Sequence, residues 1–182
     1  SGRRVLLADR EVAIAQKARA GIEKRLGRLV EKEQLSREEA DAALRRIEPA
    51  SDYTGMAEAE FIIEAATERE EIKQAIFEAA GKVLAPGAIL ATNTSSIPIT
   101  RMGAATADPG RFVGLHFFNP VPVMALVEVI PGLATAAETT ERTRAFAESL
   151  GKQVVLSADE PGFVVNRILL PMINEAAFVL AG

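Results

Sequence analysis

The chain has 182 residues, which suits one domain with room for a piece of a second. Hydrophobic residues make up 48% and charged residues 25%, an ordinary globular balance, and a net charge of -4 leaves little to neutralise the phosphates of a nucleic acid. The lack of cysteine excludes disulfides, zinc-thiolate sites and a cysteine nucleophile, and a single histidine excludes a histidine-rich metal site.

Val5-Leu6-Leu7-Ala8 is a continuous apolar run that stops at Asp9, the pattern of a buried parallel strand. Ile14, Ala18, Ile22, Leu26 and Leu29-Val30 recur three or four apart and predict a long helix. The basic residues between Lys17 and Arg28 interleave with Glu23 and Glu31, the wet face of that helix. Ser36-Arg37-Glu38-Glu39 has capping-box spacing with Leu35 as staple, so a second helix runs to about Arg46, and Pro49 ends the unit. The next buried strand is Phe61-Ile62-Ile63-Glu64-Ala65-Ala66, followed by a helix over 69–83. After a Pro86-Gly87 turn, a strand over 88–92 runs into polar Asn93-Thr94-Ser95-Ser96, with a short helix past Pro98. Strands follow over 112–117 and 126–130, then a helix over 136–150 and a strand over 153–156. Pro161-Gly162 breaks the chain before a last apolar helix from about Val164.

Strands alternating with helices make this an α/β chain with a mostly parallel sheet. No apolar stretch reaches ~18 residues without charge, and Ser1-Gly2-Arg3-Arg4 leads into a strand rather than a signal peptide. The expectation is a cytoplasmic protein that meets neither membrane nor nucleic acid. The last helix carries Ile168, Leu169, Leu170, Met172, Ile173, Phe178 and Leu180 around much of its circumference. Such a helix must be buried on most sides, so it reads as the first helix of a further domain.

Four polar clusters fall at carboxyl ends of predicted strands: Asp9, Glu64–Glu68, Asn93–Ser96 and His116–Asn119. In open α/β sheets that edge is the ligand crevice. His116 closes one strand, and Glu128 on the next can fold back beside it, a pairing that suits a general base and its orienting partner as well as a hydrogen-bonded structural histidine. Asp9 also admits two readings. It can hydrogen-bond the adenosine ribose of a dinucleotide or cap the helix that follows.

With these residues assembled, the chain resembles the 3-hydroxyacyl-CoA dehydrogenase family. The stretches that carry the resemblance are 91–96 (Ala-Thr-Asn-Thr-Ser-Ser), 114–124 (Gly-Leu-His-Phe-Phe-Asn-Pro-Val-Pro-Val-Met), 126–129 (Leu-Val-Glu-Val) and 159–167 (Asp-Glu-Pro-Gly-Phe-Val-Val-Asn-Arg). The resemblance implies a Rossmann-type fold, an NAD cofactor in preference to NADP, an acyl-CoA thioester substrate and a homodimeric full-length protein. It implies that His116 is the general base, Glu128 its partner, and that Ser95 and Asn166 contact the substrate oxygen and thioester region. It further implies that Asp9, Glu68, Lys73, Asn93 and Ser95 serve the cofactor, with Asn119 orienting the His116 loop and no metal involved. From the residues alone, Ser95 can equally shape a turn, Asn166 can cap the last helix, and Glu68 and Lys73 are first-turn residues of an exposed helix.

The family opens with a strand and a Gly-x-Gly-x-x-Gly turn, which this sequence lacks. The expected organisation is therefore a partial dinucleotide-binding domain over 1–159 and a truncated helical substrate and dimerisation domain over 160–182. A gap is expected in the sheet, and on its own such a chain is expected to bind NAD poorly. Two rival readings are a dehydrogenase of another β-hydroxy or sugar acid on the same scaffold, and a non-catalytic NAD-binding structural protein.

Overall fold

The computed structural model describes residues 2–182. It divides into two compact units, one ending at Glu58 and one running Ala59–Gly182.

In the first unit β1 (Val5–Ala8), α1 (Val12–Glu31), α2 (Arg37–Arg45) and β2 (Ile47–Ala50) form a two-stranded parallel sheet with two helices. The capping box is present: the Ser36 hydroxyl accepts from Glu39 N–H at 3.1 Å and the Glu39 carboxylate from Ser36 N–H at 2.9 Å. Pro49 does not end this unit, as expected, but lies inside β2 opposite Leu7. Val5 N–H donates to Arg46 C=O and Asp9 N–H to Ala50 C=O, so the even-numbered residues of β2 face β1. The nitrogen of Pro49 therefore faces the outer edge, where a missing N–H costs no ladder bond.

The second unit contains β3 (Phe61–Glu64), α3 (Glu70–Gly81), β4 (Ile89–Thr92), α4 (Ile99–Gly103), β5 (Phe112–Phe117), β6 (Leu126–Pro131), α5 (Ala137–Ser149), β7 (Gln153–Leu156) and α6 (Val165–Ala181). Its sheet has the order β3-β4-β5-β6-β7, parallel throughout except for antiparallel β5 and β6. All four residues of β4 are buried, which explains its unbroken apolar run. Ile89, Ala91, Val113, Leu115, Val127 and Val129 form the core against Ala147 of α5. Gly114 lets α4 seat on β5: a Cβ there would stand 2.8 Å from the Ile99 side chain.

This topology sets the carboxyl ends of β3, β4 and β5 side by side, with Glu64 opposite Thr92 and Thr92 opposite Gly114. Antiparallel β6 returns past β5 with Glu128 directly opposite His116. No residue of α6 is buried, and Ile168, Leu170, Met172, Phe178, Val179 and Leu180 are each more than half exposed. Among the described residues no helix is long and apolar enough to cross a membrane.

Candidate active site

His116 and Glu128 are both buried, and His116 Nδ1 lies 2.7 Å from Glu128 Oε2. A carboxylate only accepts, so in the neutral imidazole Nδ1 carries the proton and Nε2 keeps its lone pair. The second carboxylate oxygen, Oε1, accepts from the N–H groups of Val164 at 3.0 Å and Val165 at 2.9 Å. These are unpaired donors at the start of α6, a position that favours negative charge. Phe118 and Phe163 flank the imidazole, with ring centroids 4.5 and 5.8 Å away. The loop beyond His116 is tied down by Asn93, whose Oδ1 accepts from Phe117 N–H at 2.8 Å. Asn119 makes no side-chain hydrogen bond among the described residues and so does not orient that loop as expected. It precedes Pro120 through a cis peptide bond.

The turn into α6 rests on two residues in the left-handed region, Gly162 at φ 81° and Phe163 at φ 53°. A Cβ at Gly162 would stand 2.9 Å from Arg167 N, so glycine is required there. Just upstream, the Asp159 carboxylate accepts from Ile99 and Thr100 N–H, each at 2.7 Å, and so caps α4.

Ser95 and Asn166 line one cleft of about 590 Å³, together with Ser96, Gly162, Arg167 and Leu170. The turn after β4 is shaped by Thr94, whose hydroxyl accepts from Ser96 and Ile97 N–H at 3.3 and 3.1 Å. The Ser95 hydroxyl makes no hydrogen bond among the described residues. Nor does Asn166 cap α6, since the cap position belongs to Val164. Among the described residues neither side chain is committed to a protein partner.

Lys73 differs most from expectation. It is not an exposed first-turn residue: its side chain is 2% exposed, and Nζ lies 2.9 and 2.7 Å from the two carboxylate oxygens of Glu64. The reach of a lysine stem inward from α3 leaves no trace in residue spacing. Glu68 lies on the loop before α3 and accepts from the Thr94 hydroxyl and from Ser95 N–H, both at 2.7 Å. Glu64 was marked only as a member of the polar cluster that ends β3, with no role of its own, and Thr92 only as the end of the next strand; their hydrogen bond at 2.6 Å has no signature in the sequence.

Asp9 belongs to the first unit, at the carboxyl end of β1. Its Oδ1 accepts from Arg10 N–H at 2.8 Å, while the cap position of α1 is Glu11. The carboxylate is therefore not used as a helix cap, and its second oxygen can accept a sugar hydroxyl. Within the second unit, the Ser95 hydroxyl and the third ammonium proton of Lys73 are polar groups of the kind that a hydroxyl-rich dinucleotide can pair with.

A sequence profile of the "3-hydroxyacyl-CoA dehydrogenase, NAD binding domain" matches residues 1–160. The chain belongs to the 3-hydroxyacyl-CoA dehydrogenase family. NAD is the cofactor of this domain, and the fold is the Rossmann-type α/β of its structural relatives. The chain is 48% identical over 176 residues to a 3-hydroxybutyryl-CoA dehydrogenase of Bradyrhizobium diazoefficiens, covering 97% of this chain and 60% of that protein. A 3-hydroxyadipyl-CoA dehydrogenase of Escherichia coli is 45% identical, covering 96% of this chain and 37% of the relative. The crystal structure of an (S)-3-hydroxybutyryl-CoA dehydrogenase from Ralstonia eutropha matches with a TM-score of 0.95 at 44% identity, over 98% of this chain and 63% of that one. The chain thus spans less than two thirds of the length of these 3-hydroxyacyl-CoA dehydrogenase relatives.

Proposed function

We propose that the native protein is an NAD-dependent L-3-hydroxyacyl-CoA dehydrogenase, with His116 as general base and Glu128 as its orienting partner. The observation that carries the reading is the buried pair at 2.7 Å, with Nε2 left as the basic nitrogen. NAD, when bound, supplies the hydride acceptor. His116 takes the proton of the substrate 3-hydroxyl, and imidazole is a competent base near neutral pH. Glu128 holds the ring in one tautomer and offsets the imidazolium charge that forms. Ser95 and Asn166, facing one cleft with free polar groups, hold the substrate oxygen and the thioester carbonyl. Asp9, Glu68, Lys73, Asn93 and Ser95 are each assigned to the cofactor, Asn93 acting through the His116 loop. The names of the relatives support a 3-hydroxyacyl-CoA thioester as substrate. With this reading go a cytoplasmic homodimer and a helical domain that begins with α6.

The test is His116→Gln in the full-length protein, assayed by NADH-linked reduction of acetoacetyl-CoA. Turnover falls by about 10²–10⁴-fold, the usual contribution of a positioned base, while NADH affinity changes little. Unchanged turnover removes His116 from the chemistry. Activity on free β-hydroxy acids instead of the CoA thioester favours the rival dehydrogenase reading.

A further inference from the structure

Glu64 is a buried carboxylate that this chemistry leaves unused. It closes β3 with its side chain 1% exposed, and each of its oxygens accepts two hydrogen bonds. Oε1 accepts from Lys73 Nζ at 2.9 Å and Ala66 N–H at 2.7 Å; Oε2 accepts from Lys73 Nζ at 2.7 Å and the Thr92 hydroxyl at 2.6 Å. Stability alone does not call for such a pair, because apolar side chains of similar volume hold a core as well or better. What the pair provides is a fixed charge.

An ammonium has three protons, and Glu64 takes two from Lys73. The third is free, and Glu68 Oε2 stands 3.9 Å from Nζ, within ion-pair range but beyond a hydrogen bond. Glu68 in turn holds Thr94 and Ser95 through its own two oxygens. Alternating charges therefore run from the core, Glu64 to Lys73 to Glu68, and end on the loop that carries the free Ser95 hydroxyl.

We infer that Glu64, braced by Thr92, is a positioning residue of the cofactor site. It fixes the Lys73 ammonium at one point and, through Lys73, sets Glu68 and the Ser95 loop. The inference rests on the proposed assignment of Lys73 and Glu68 to the cofactor side. Removing the Glu64 charge frees Lys73 to turn toward Glu68, which disturbs the loop without touching any ligand contact directly.

A double-mutant cycle in the full-length protein tests this, read as NADH affinity by fluorescence titration without substrate. Glu64→Gln keeps the shape and drops the charge; its NADH Kd rises about tenfold, the scale of one charged hydrogen bond. Lys73→Met weakens binding at least as much, and the double variant is no weaker than Lys73→Met alone, because both lesions remove one arrangement. In steady state, Glu64→Gln raises KM for NAD about tenfold and changes kcat less than about threefold, a split expected from lost uniform binding. Phe77→Leu, a core change in α3 outside the network, lowers the thermal midpoint and leaves NADH affinity unchanged. Thr92→Val keeps both charges and raises the NADH Kd about threefold, a neutral hydrogen bond's worth, so it decides the matter if Glu64→Gln proves too unstable to purify. Wild-type affinity in Glu64→Gln and Thr92→Val beside an impaired Lys73→Met overturns the role of Glu64 alone. Normal NADH binding by Lys73→Met overturns the cofactor assignment as well. An equal loss of affinity in Phe77→Leu also overturns the inference, since destabilisation would then be the cause.

Discussion

Glu128 divides its oxygens between a side chain and a helix terminus, and the two halves differed in how far they could be read. Its meeting with His116 was legible because one histidine at a strand end and one glutamate on the next strand leave few partners to choose from. The Val164 and Val165 N–H groups were not, since a backbone donor has no residue signature. Lys73 shows the opposite failure: its position was marked, but its buried pairing with Glu64 depends on a side chain reaching inward. Asp9 offered two readings that the structure narrows, because its carboxylate leaves the cap of α1 to Glu11. The prediction at this position concerns cofactor choice. A hydrogen bond to a charged group is worth about 1.5–3 kcal/mol, so Asp9→Ala should raise KM for NAD about tenfold or more. The same change removes the carboxylate that would repel a 2′-phosphate, so KM for NADP should fall or hold. Steady-state kinetics with both cofactors checks this, and an unaltered NAD preference would take Asp9 away from the ribose.

Among the elements, long periodic helices and unbroken apolar strands were readable, and boundaries fell within a few residues of expectation. β2 was hidden because Pro49 signals an ending, and only its outer-edge placement makes the strand possible. The segment joining β7 to α6 was visible only as a break at Pro161-Gly162. What it does comes from Phe163, a left-handed non-glycine residue that puts its ring beside His116. Such a conformation costs roughly 1–3 kcal/mol and persists only where the surroundings hold it, here Asp159 on one side and the Glu128 contacts on the other. Gly162→Ala tests the element. A methyl group 2.9 Å from Arg167 N forces the start of α6 to shift, drawing Val164 and Val165 N–H away from Glu128. The expected result is a kcat lower by about 10–100-fold, the sensitivity of catalysis to misplacement of about 1 Å, with NADH affinity nearly unchanged. A variant that loses NADH binding and kcat equally would mean that the turn supports the whole unit rather than His116.

At the scale of the molecule, the strands form two separate sheets, β1 with β2 and β3 to β7. The other molecular feature is α6, whose apolar side chains lie on several faces and are exposed. So many exposed large apolar side chains on one helix suit an interaction site. The relatives are longer than this chain, and the proposed function assigns α6 to a helical domain that also joins the subunits. The side chains of α6 should then be covered in the native protein, Phe178 and Met172 among them. Burying a phenylalanine contributes about 1.5–3 kcal/mol, and a charge forced into the same place costs at least as much. Phe178→Glu should therefore lower the thermal midpoint of the full-length protein by several degrees and shift the proposed dimer toward monomer, as read by scanning calorimetry and light scattering. In the 182-residue chain the same substitution meets water on both sides of the comparison and should leave the midpoint unchanged while reducing self-association. Equal behaviour of the two proteins would mean that α6 faces solvent in both, and the helical domain would then have to begin elsewhere.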